Sequence, residues 1–327
     1  MTELMLHLGT DDGRRVTEDV ANTLEAIKAD GAVYTGHWAA MEMDPDAYDF
    51  ASLEQFLSDC ERYRVKVRGL RLMGGGKNAP SWAIDGSPIA TVGGQEYVVE
   101  WAAPLYTDRL YRFTEKVGQY SRYFAYLQPP IGPTGAEMIL PDDAAPGYTN
   151  FTPWHLPETW EPMGQPGDGY TVARHAGWVA DLVEHCLDTW PQTTIQVMVN
   201  RQGLDDLGRK AWTRLTGNPP AVPHPAEKAA AAVLDRCLLL AAGRQGRLLA
   251  GWTSPEEPEW PPEAEPLLEQ IAYRWGPRDT CFDMGRPRTA DAIQGMWQRM
   301  QGLGATVVRA GPQDVAGFEE VYAVLPR

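Results

Sequence analysis

The sequence contains no Cys-x-x-Cys pair, and its four cysteines, Cys60, Cys186, Cys237 and Cys281, stand far apart in 327 residues. That scatter excludes a zinc ribbon or dithiol motif and leaves free thiols, three on helical patterns and one in a strand. Long apolar runs are missing too. No stretch nears the about 18 to 20 uninterrupted apolar residues of a membrane-spanning helix. The first residues, Met-Thr-Glu-Leu-Met-Leu-His-Leu-Gly, lack the basic start and small-residue cleavage site of a signal peptide, so a cytoplasmic location is expected. Positive charge is scarce: 29 Lys and Arg against 44 Asp and Glu give a formal net charge of −15. Such a chain repels phosphate backbones and anionic membrane surfaces, which excludes nucleic acid and membrane as partners. A small-molecule or oligosaccharide partner, neutral or cationic, is the expectation, with assembly into a homo-oligomer left open.

Motifs that announce cofactors or metals are absent as well. The histidines, His7, His37, His155 and His175 among them, do not fall at His-x-His or His-Glu-x-x-His spacing, so no metal centre is expected. There is no Gly-x-Ser-x-Gly elbow, and Gly74-Gly75-Gly76-Lys77 lacks the rest of a phosphate-binding loop. No cofactor is expected. Internal repeats and low-complexity tails are also missing.

What the chain does carry is alternation. Strands are predicted at Leu4 to Leu8, Ala32 to Trp38, Val65 to Met73, Phe124 to Leu127, Thr194 to Val199, Arg247 to Trp252, Thr280 to Met284 and Thr306 to Ala310. Helical patterns lie between them. Thr17 is the predicted N-cap of the first, with Gly31 as its left-handed stop, and Ser52 with Gln55 forms a capping box for the second. Later helices are predicted at Tyr106 to Tyr120, Thr171 to Trp190, Pro225 to Ala242, Pro262 to Trp275 and Ala290 to Gln301. Eight strands in strict alternation with helices predict a single α/β domain over residues 1 to 327, a (β/α)8 TIM barrel. A doubly wound open sheet is the runner-up, but Leu8-Gly9-Thr10-Asp11-Asp12-Gly13 does not match its Gly-x-Gly-x-x-Gly turn. Helix-to-strand joins are brief, whereas long loops follow strands three, four and five. One face is plain and the other elaborated, as in a barrel with its site at the carboxyl ends of the strands.

On that face two carboxylates draw attention. Glu137 follows strand four in the stiff segment Gln-Pro-Pro-Ile-Gly-Pro-Thr-Gly-Ala-Glu, and Asp283 ends strand seven. A carboxylate pair across a barrel mouth is what glycoside cleavage needs, one acid to protonate the leaving oxygen and one base or nucleophile. The ordinary alternative is a surface acid on a turn for Glu137, and a cap or an ion pair with Arg286 or Arg278 for Asp283. Glu256 or Glu257, after strand six, is the substitute for Asp283. Trp38, Trp82, Trp101, Trp154, Trp160, Trp252 and Trp260 fall at strand ends or in the same loops. Their rings can stack on sugar C–H faces. His37, Trp38, Trp82 and Trp252, with the polar Asp11, Lys77, Gln128, Asn200, Arg201 and Glu256, are therefore the candidate substrate-binding residues.

Residues 38 to 57 carry Trp-Ala-Ala-Met-Glu ahead of Tyr-Asp-Phe. Val-Lys-Val-Arg-Gly-Leu-Arg-Leu-Met-Gly-Gly-Gly follows from residue 65, and then Ala-Pro-Ser-Trp. That order resembles the early part of clan A glycoside hydrolases, particularly the family 42 and family 35 β-galactosidases, and also β-amylases. Gly132-Pro133-Thr134-Gly135-Ala136-Glu137 is similar to the Gly-Pro-x-Gly-Glu of β-amylases, with one residue inserted. The resemblance covers about the first 140 residues. It implies a barrel that hydrolyses an O-glycosidic bond, β-galactosidase-like or related, with Glu137 as general acid. Two departures stand out: Ala136 where many clan members have Asn, and Asp283 where they have Glu. They motivate the alternative of a barrel that binds saccharide without cleaving it, as a module of a larger assembly. A metal-dependent barrel hydrolase is a third reading.

Overall fold

The computed structural model describes residues 2–10, 15–75, 78–87, 89–92, 95–98, 103–131, 168–200, 233, 236–237, 239–241, 244, 247–253, 280–283, 290–302, 304–305 and 307–310. The strands are β1 Glu3–Thr10, β2 Gly31–His37, β3 Glu42–Asp44, β4 Ala47–Tyr48, β5 Val67–Met73, β6 Ile89–Val92, β7 Gln95–Val98, β8 Tyr126–Gln128, β9 Thr194–Asn200, β10 Leu248–Thr253, β11 Thr280–Asp283 and β12 Val307–Ala310. The helices are α1 Glu18–Ala26, α2 Trp38–Met41, α3 Ala51–Arg62, α4 Ser81–Ile84, α5 Pro104–Val117, α6 Asp168–Thr189 and α7 Ala290–Gly302, with a 3-10 turn at Gly118–Tyr123. Helical residues also occur between 233 and 241. The expected helix over residues 262–275 lies outside the described residues.

Eight strands close into a barrel in the order β1-β12-β11-β10-β9-β8-β5-β2. Every pairing in that ring is parallel, and each strand neighbours the next barrel strand in sequence. The predicted (β/α)8 architecture is thus the observed one. Parallel strands covered on both faces read as continuous apolar runs, and β2 is buried at every position from Gly31 to Gly36.

Two apolar layers hold the ring. Inside it, Met5, Val33, Tyr126, Met198, Leu249 and Val307 pack together. Outside, Leu4, Leu6, Tyr34, Leu70, Leu72, Leu127, Ile195 and Val197 join the helices' buried faces. The two sets alternate along each strand, as the two-residue period requires. From α3, Leu53, Phe56 and Cys60 are buried, and from α6, Val179, Leu182, Val183 and Cys186. Cys60, Cys186 and Cys237 are free buried thiols, and burial pushes Cys60 and Cys237 up to about 12.

Local signals were met unevenly. Thr17 caps α1, its Oγ1 accepting from the Val20 N–H at 3.3 Å. Gly31 is not the helix stop. The left-handed residue is Lys28, at φ 54°, and Gly31 opens β2. Its missing Cβ leaves room for the Arg68 side chain and for the Lys66 carbonyl, which an added Cβ would meet at 2.6 Å. The Ser52/Gln55 capping box does not form either. Asp49 Oδ1 accepts from the Ala51 N–H at 2.9 Å, and Gln55 Nε2 donates instead to Asp59 Oδ1 at 3.0 Å. Asp59 also takes a bidentate pair from Arg15, at 2.6 and 2.8 Å.

The two ends of the barrel differ. At the amino end, α1 to β2, α3 to β5 and α6 to β9 are joined by short turns. Arg68 there grips Glu3 at 2.6 Å and lies 5.4 Å over the Tyr126 ring. At the carboxyl end, α2 and the β3–β4 hairpin follow β2, while α4 and the β6–β7 hairpin fill the long loop after β5. Among the described residues no helix is long and apolar enough to cross a membrane.

Candidate active site

Beyond β2 the chain turns directly into α2, and the side chains there lock the wall of the barrel mouth. Trp38 is fully buried, stacked on Phe113 at 5.4 Å and edge-on to Trp82 at 6.1 Å. Its Nε1 donates to Glu42 Oε2 at 2.7 Å. This corrects the expectation that Trp38 offers a face to substrate: both the ring and its N–H are committed to packing. Glu42, itself buried, also accepts from the Asp46 N–H at 3.0 Å. Tyr48 is pushed up to about 12 by burial first and by the Glu42 carboxylate second. The sequence reading gave Glu42 no role, although its position one turn after Trp38, just past the end of the short helix, is the spacing that brings the two together.

Trp82 is half-buried, and its Nε1 donates to the Glu42 carbonyl at 3.3 Å. Arg109 lies 5.5 Å from the Trp82 ring and donates to the Trp82 and Ala83 carbonyls at 2.6 and 2.9 Å. An indole held this way presents a fixed aromatic surface. His37, also half-buried, ends β2 at the N-cap position of α2.

The loop after β5 is tied at its root, where Tyr106 donates to the Gly74 carbonyl at 2.8 Å. Gly74 has to be small. A Cβ there would meet Pro130 Cβ at 2.9 Å. That contact seats the rigid turn after β8, in which the Ile131 N–H closes on the Pro129 carbonyl at 3.0 Å and Ile131 is fully buried. Gln128, the last residue of β8, is likewise enclosed, with no exposed surface.

Across the other half of the mouth, register aligns the strand ends. Asn200 of β9 pairs with Thr253 of β10, Thr253 with Asp283 of β11, and Asp283 with Arg309 of β12. Trp252 precedes Thr253 on β10, opposite Val199 and Phe282. The barrel therefore gathers His37, Gln128, Asn200, Trp252 and Asp283 to the carboxyl ends of five strands. Asp11, Lys77, Glu137, Arg201, Glu256 and Glu257 lie outside the described residues. Among the described residues no group of three or more His, Cys, Asp or Glu is arranged to hold a metal ion.

Sequence reasoning named Gln128 but missed three polar residues that the strand period turns to the same inner wall, Thr35, Arg71 and Gln196. Thr35 of β2 pairs with Arg71 of β5, and Arg71 with Gln128. Gln196 of β9 lies one position beyond the Ile195–Leu127 pair. The signal was a single polar residue inside an apolar strand, Leu70-Arg71-Leu72 and Ile195-Gln196-Val197.

No protein-family profile matches the chain, and no curated protein matches it. Solved structures do. The catalytic domain of a β-amylase from Paenibacillus polymyxa superposes with a TM-score of 0.58 at 12% identity, covering 100% of both chains. The likeness is one of fold. A glycosylated endo-β-1,4-xylanase of glycoside hydrolase family 10 from Gloeophyllum trabeum matches at a TM-score of 0.52 and 11% identity, over 95% of this chain and 83% of that one. An endo-1,4-β-xylanase from Caldicellulosiruptor owensensis matches at 0.50 and 10%, over 95% and 84%. The whole barrel, not a fragment of it, is shared with these enzymes.

Proposed function

We propose that the chain is a glycoside hydrolase of the clan A type that cleaves an O-glycosidic bond with a carboxylate pair. Glu137 is the general acid or acid/base, and Asp283 the nucleophile or base. The observation that carries the reading is the position of Asp283, an acid ending the seventh barrel strand in register with Thr253 and, through it, Asn200. Acids at the carboxyl ends of barrel strands are where this fold keeps its chemistry. Two further facts support it: the seated Pro129–Ile131 turn that leads toward Glu137, and the fold likeness to a β-amylase and to xylanases over nearly the whole chain.

In this mechanism the protonated carboxyl of Glu137 gives its proton to the leaving oxygen while ionised Asp283 attacks the anomeric carbon or activates water. A carboxyl separation of about 5 to 5.5 Å would make the enzyme retaining, and about 6.5 to 9.5 Å inverting. Glu256 takes the place of Asp283 if the aspartate is not the partner. The test is release of 4-nitrophenol from a panel of aryl glycosides of both anomeric configurations. Turnover of at least one, above the rate of the Asp283→Asn variant, is the expected result. Saccharide binding with no release across the panel would instead favour the non-cleaving barrel, which the Ala136 and Asp283 departures motivate.

A further inference from the structure

On the outside of the barrel, at its amino end, a groove of about 890 Å³ lies between α3 and the 3-10 turn at Gly118–Tyr123. One wall is a single face of α3, because Glu54, Leu57, Ser58 and Glu61 stand at the i, i+3, i+4 and i+7 positions of that helix. Gln119, Tyr120, Arg122 and Tyr123 of the turn form the opposite wall. The floor is apolar: Leu57 meets Val65 and Val67, where the chain enters β5, and all three are partly buried. At the Glu54 end the walls touch, the Tyr120 hydroxyl donating to Glu54 Oε1 at 2.6 Å. Glu61 is exposed, and its carboxylate has no hydrogen bond or ion pair among the described residues.

Charge and spacing together describe what fits. Seven residues separate Glu54 from Glu61, which at the α-helical rise places them about 10 Å apart along α3, with Leu57 between them. Against these two carboxylates the groove sets one cation, Arg122, which lies 4.8 Å over the Tyr123 ring and donates to the Tyr123 hydroxyl at 2.8 Å. The balance is acidic, and the field of a chain at −15 adds to the attraction for cations. A metal ion does not match, since its oxygen ligands gather within about 2.6 Å of one point and these carboxylates stand far apart. A ligand with a positive donor at each end and hydrocarbon between does match. Its ends meet the carboxylates in charge-assisted hydrogen bonds, and its middle covers the apolar floor.

We propose that this groove binds an aliphatic diammonium compound of the polyamine kind, its two cationic ends on Glu54 and Glu61 and its methylene chain on Leu57, Val65 and Val67. The site stands apart from the barrel mouth and uses none of the candidate catalytic residues, so it does not depend on the glycosidase reading.

The experiment is calorimetric titration of the full chain at low ionic strength with a series of α,ω-diamines from 1,4-diaminobutane to 1,8-diaminooctane, with octylamine as the single-charge control. Affinity is expected to rise along the series as the ligand grows toward the span of about 10 Å between the two glutamates. The octane diamine should bind about fivefold tighter than octylamine, the upper worth of one exposed ion pair. Glu61→Gln should abolish that margin and leave octylamine near its wild-type affinity, because the monoamine keeps Glu54. Glu61→Asp should restore part of the margin, and Arg122→Gln should tighten the diamine by removing an opposing charge. Circular dichroism checks that each variant is folded; the substituted side chains are exposed. No saturable binding, an affinity that is flat along the series, or a margin that survives Glu61→Gln overturns the proposal. Displacement of the diamine by magnesium chloride, but not by sodium chloride at the same ionic strength, would mark a metal site and overturns it as well.

Discussion

At the scale of single residues, the buried carboxylates Glu42 and Asp59 are each held by more than one donor. Asp59 is the plainest case. It is buried, and the Arg15 guanidinium holds its carboxyl below the ordinary aspartate range, with Gln55 adding a further donor. A carboxyl depressed in the folded state stabilises the fold above its unfolded value, near about 3.9, and that contribution is lost as pH falls through the folded value. Urea unfolding at stepped pH should therefore show the wild type losing stability toward acid more steeply than Asp59→Asn. Parallel acid limbs for the two proteins would contradict the assignment. Trp38 teaches a different lesson. Its place at a strand end marked it as a sugar platform, but a flat aromatic side chain at the root of a loop is equally fitted to fill space, and here Phe113, Tyr106 and Trp82 surround it. Local sequence does not separate these uses. Neighbours supplied from α5, more than sixty residues away, decide between them.

At the scale of elements, the contact between Gly74 and Pro130 links the ends of β5 and β8, and it is open to test. Gly74→Ala should cost about 1–3 kcal/mol, the usual penalty for an extra methyl forced into a packed site. An added Cβ would stand 2.9 Å from Pro130 Cβ and 3.4 Å from Leu110. If the turn after β8 positions Glu137, the same change should lower kcat for whichever glycoside proves to be the substrate. A variant of wild-type stability and rate would show that the turn is seated by something else. Period and length made the barrel strands legible, because parallel strands enclosed on both faces keep their apolar runs whatever their neighbours. The short elements of the mouth were not legible. Trp38 read as the end of the second strand, the residues from there to Phe50 as loop and the β6–β7 hairpin as part of the long loop after the third strand, because strands of two to four residues carry too few positions to show an alternation. The Ser52 box failed for a different reason. The neighbouring Asp49 reached the helix start first, and Gln55 was drawn to Asp59.

At the scale of the whole molecule, eight parallel strands close a ring whose amino end carries the Arg68–Glu3 ion pair and, among the described residues, short turns, and whose carboxyl end carries the hairpins and long connections. That asymmetry was readable from loop lengths alone, and so was the place of His37, Gln128, Asn200, Trp252 and Asp283 at or beside the ends of their strands. Three inward polar residues were not, since Thr35, Arg71 and Gln196 each look like an interruption of an apolar strand until the pairing of β2, β5, β8 and β9 brings them into register with Gln128. The central claim is that this mouth cleaves glycosides with Glu137 as its acid. The most direct measurement is kcat/KM for wild type and Glu137→Gln on the best aryl glycoside of the panel, with unfolding midpoints recorded for both. The account predicts a loss of about a hundredfold to ten-thousandfold, the usual contribution of a general acid, with the midpoint unchanged. Near-normal turnover in the folded Glu137→Gln variant would contradict it.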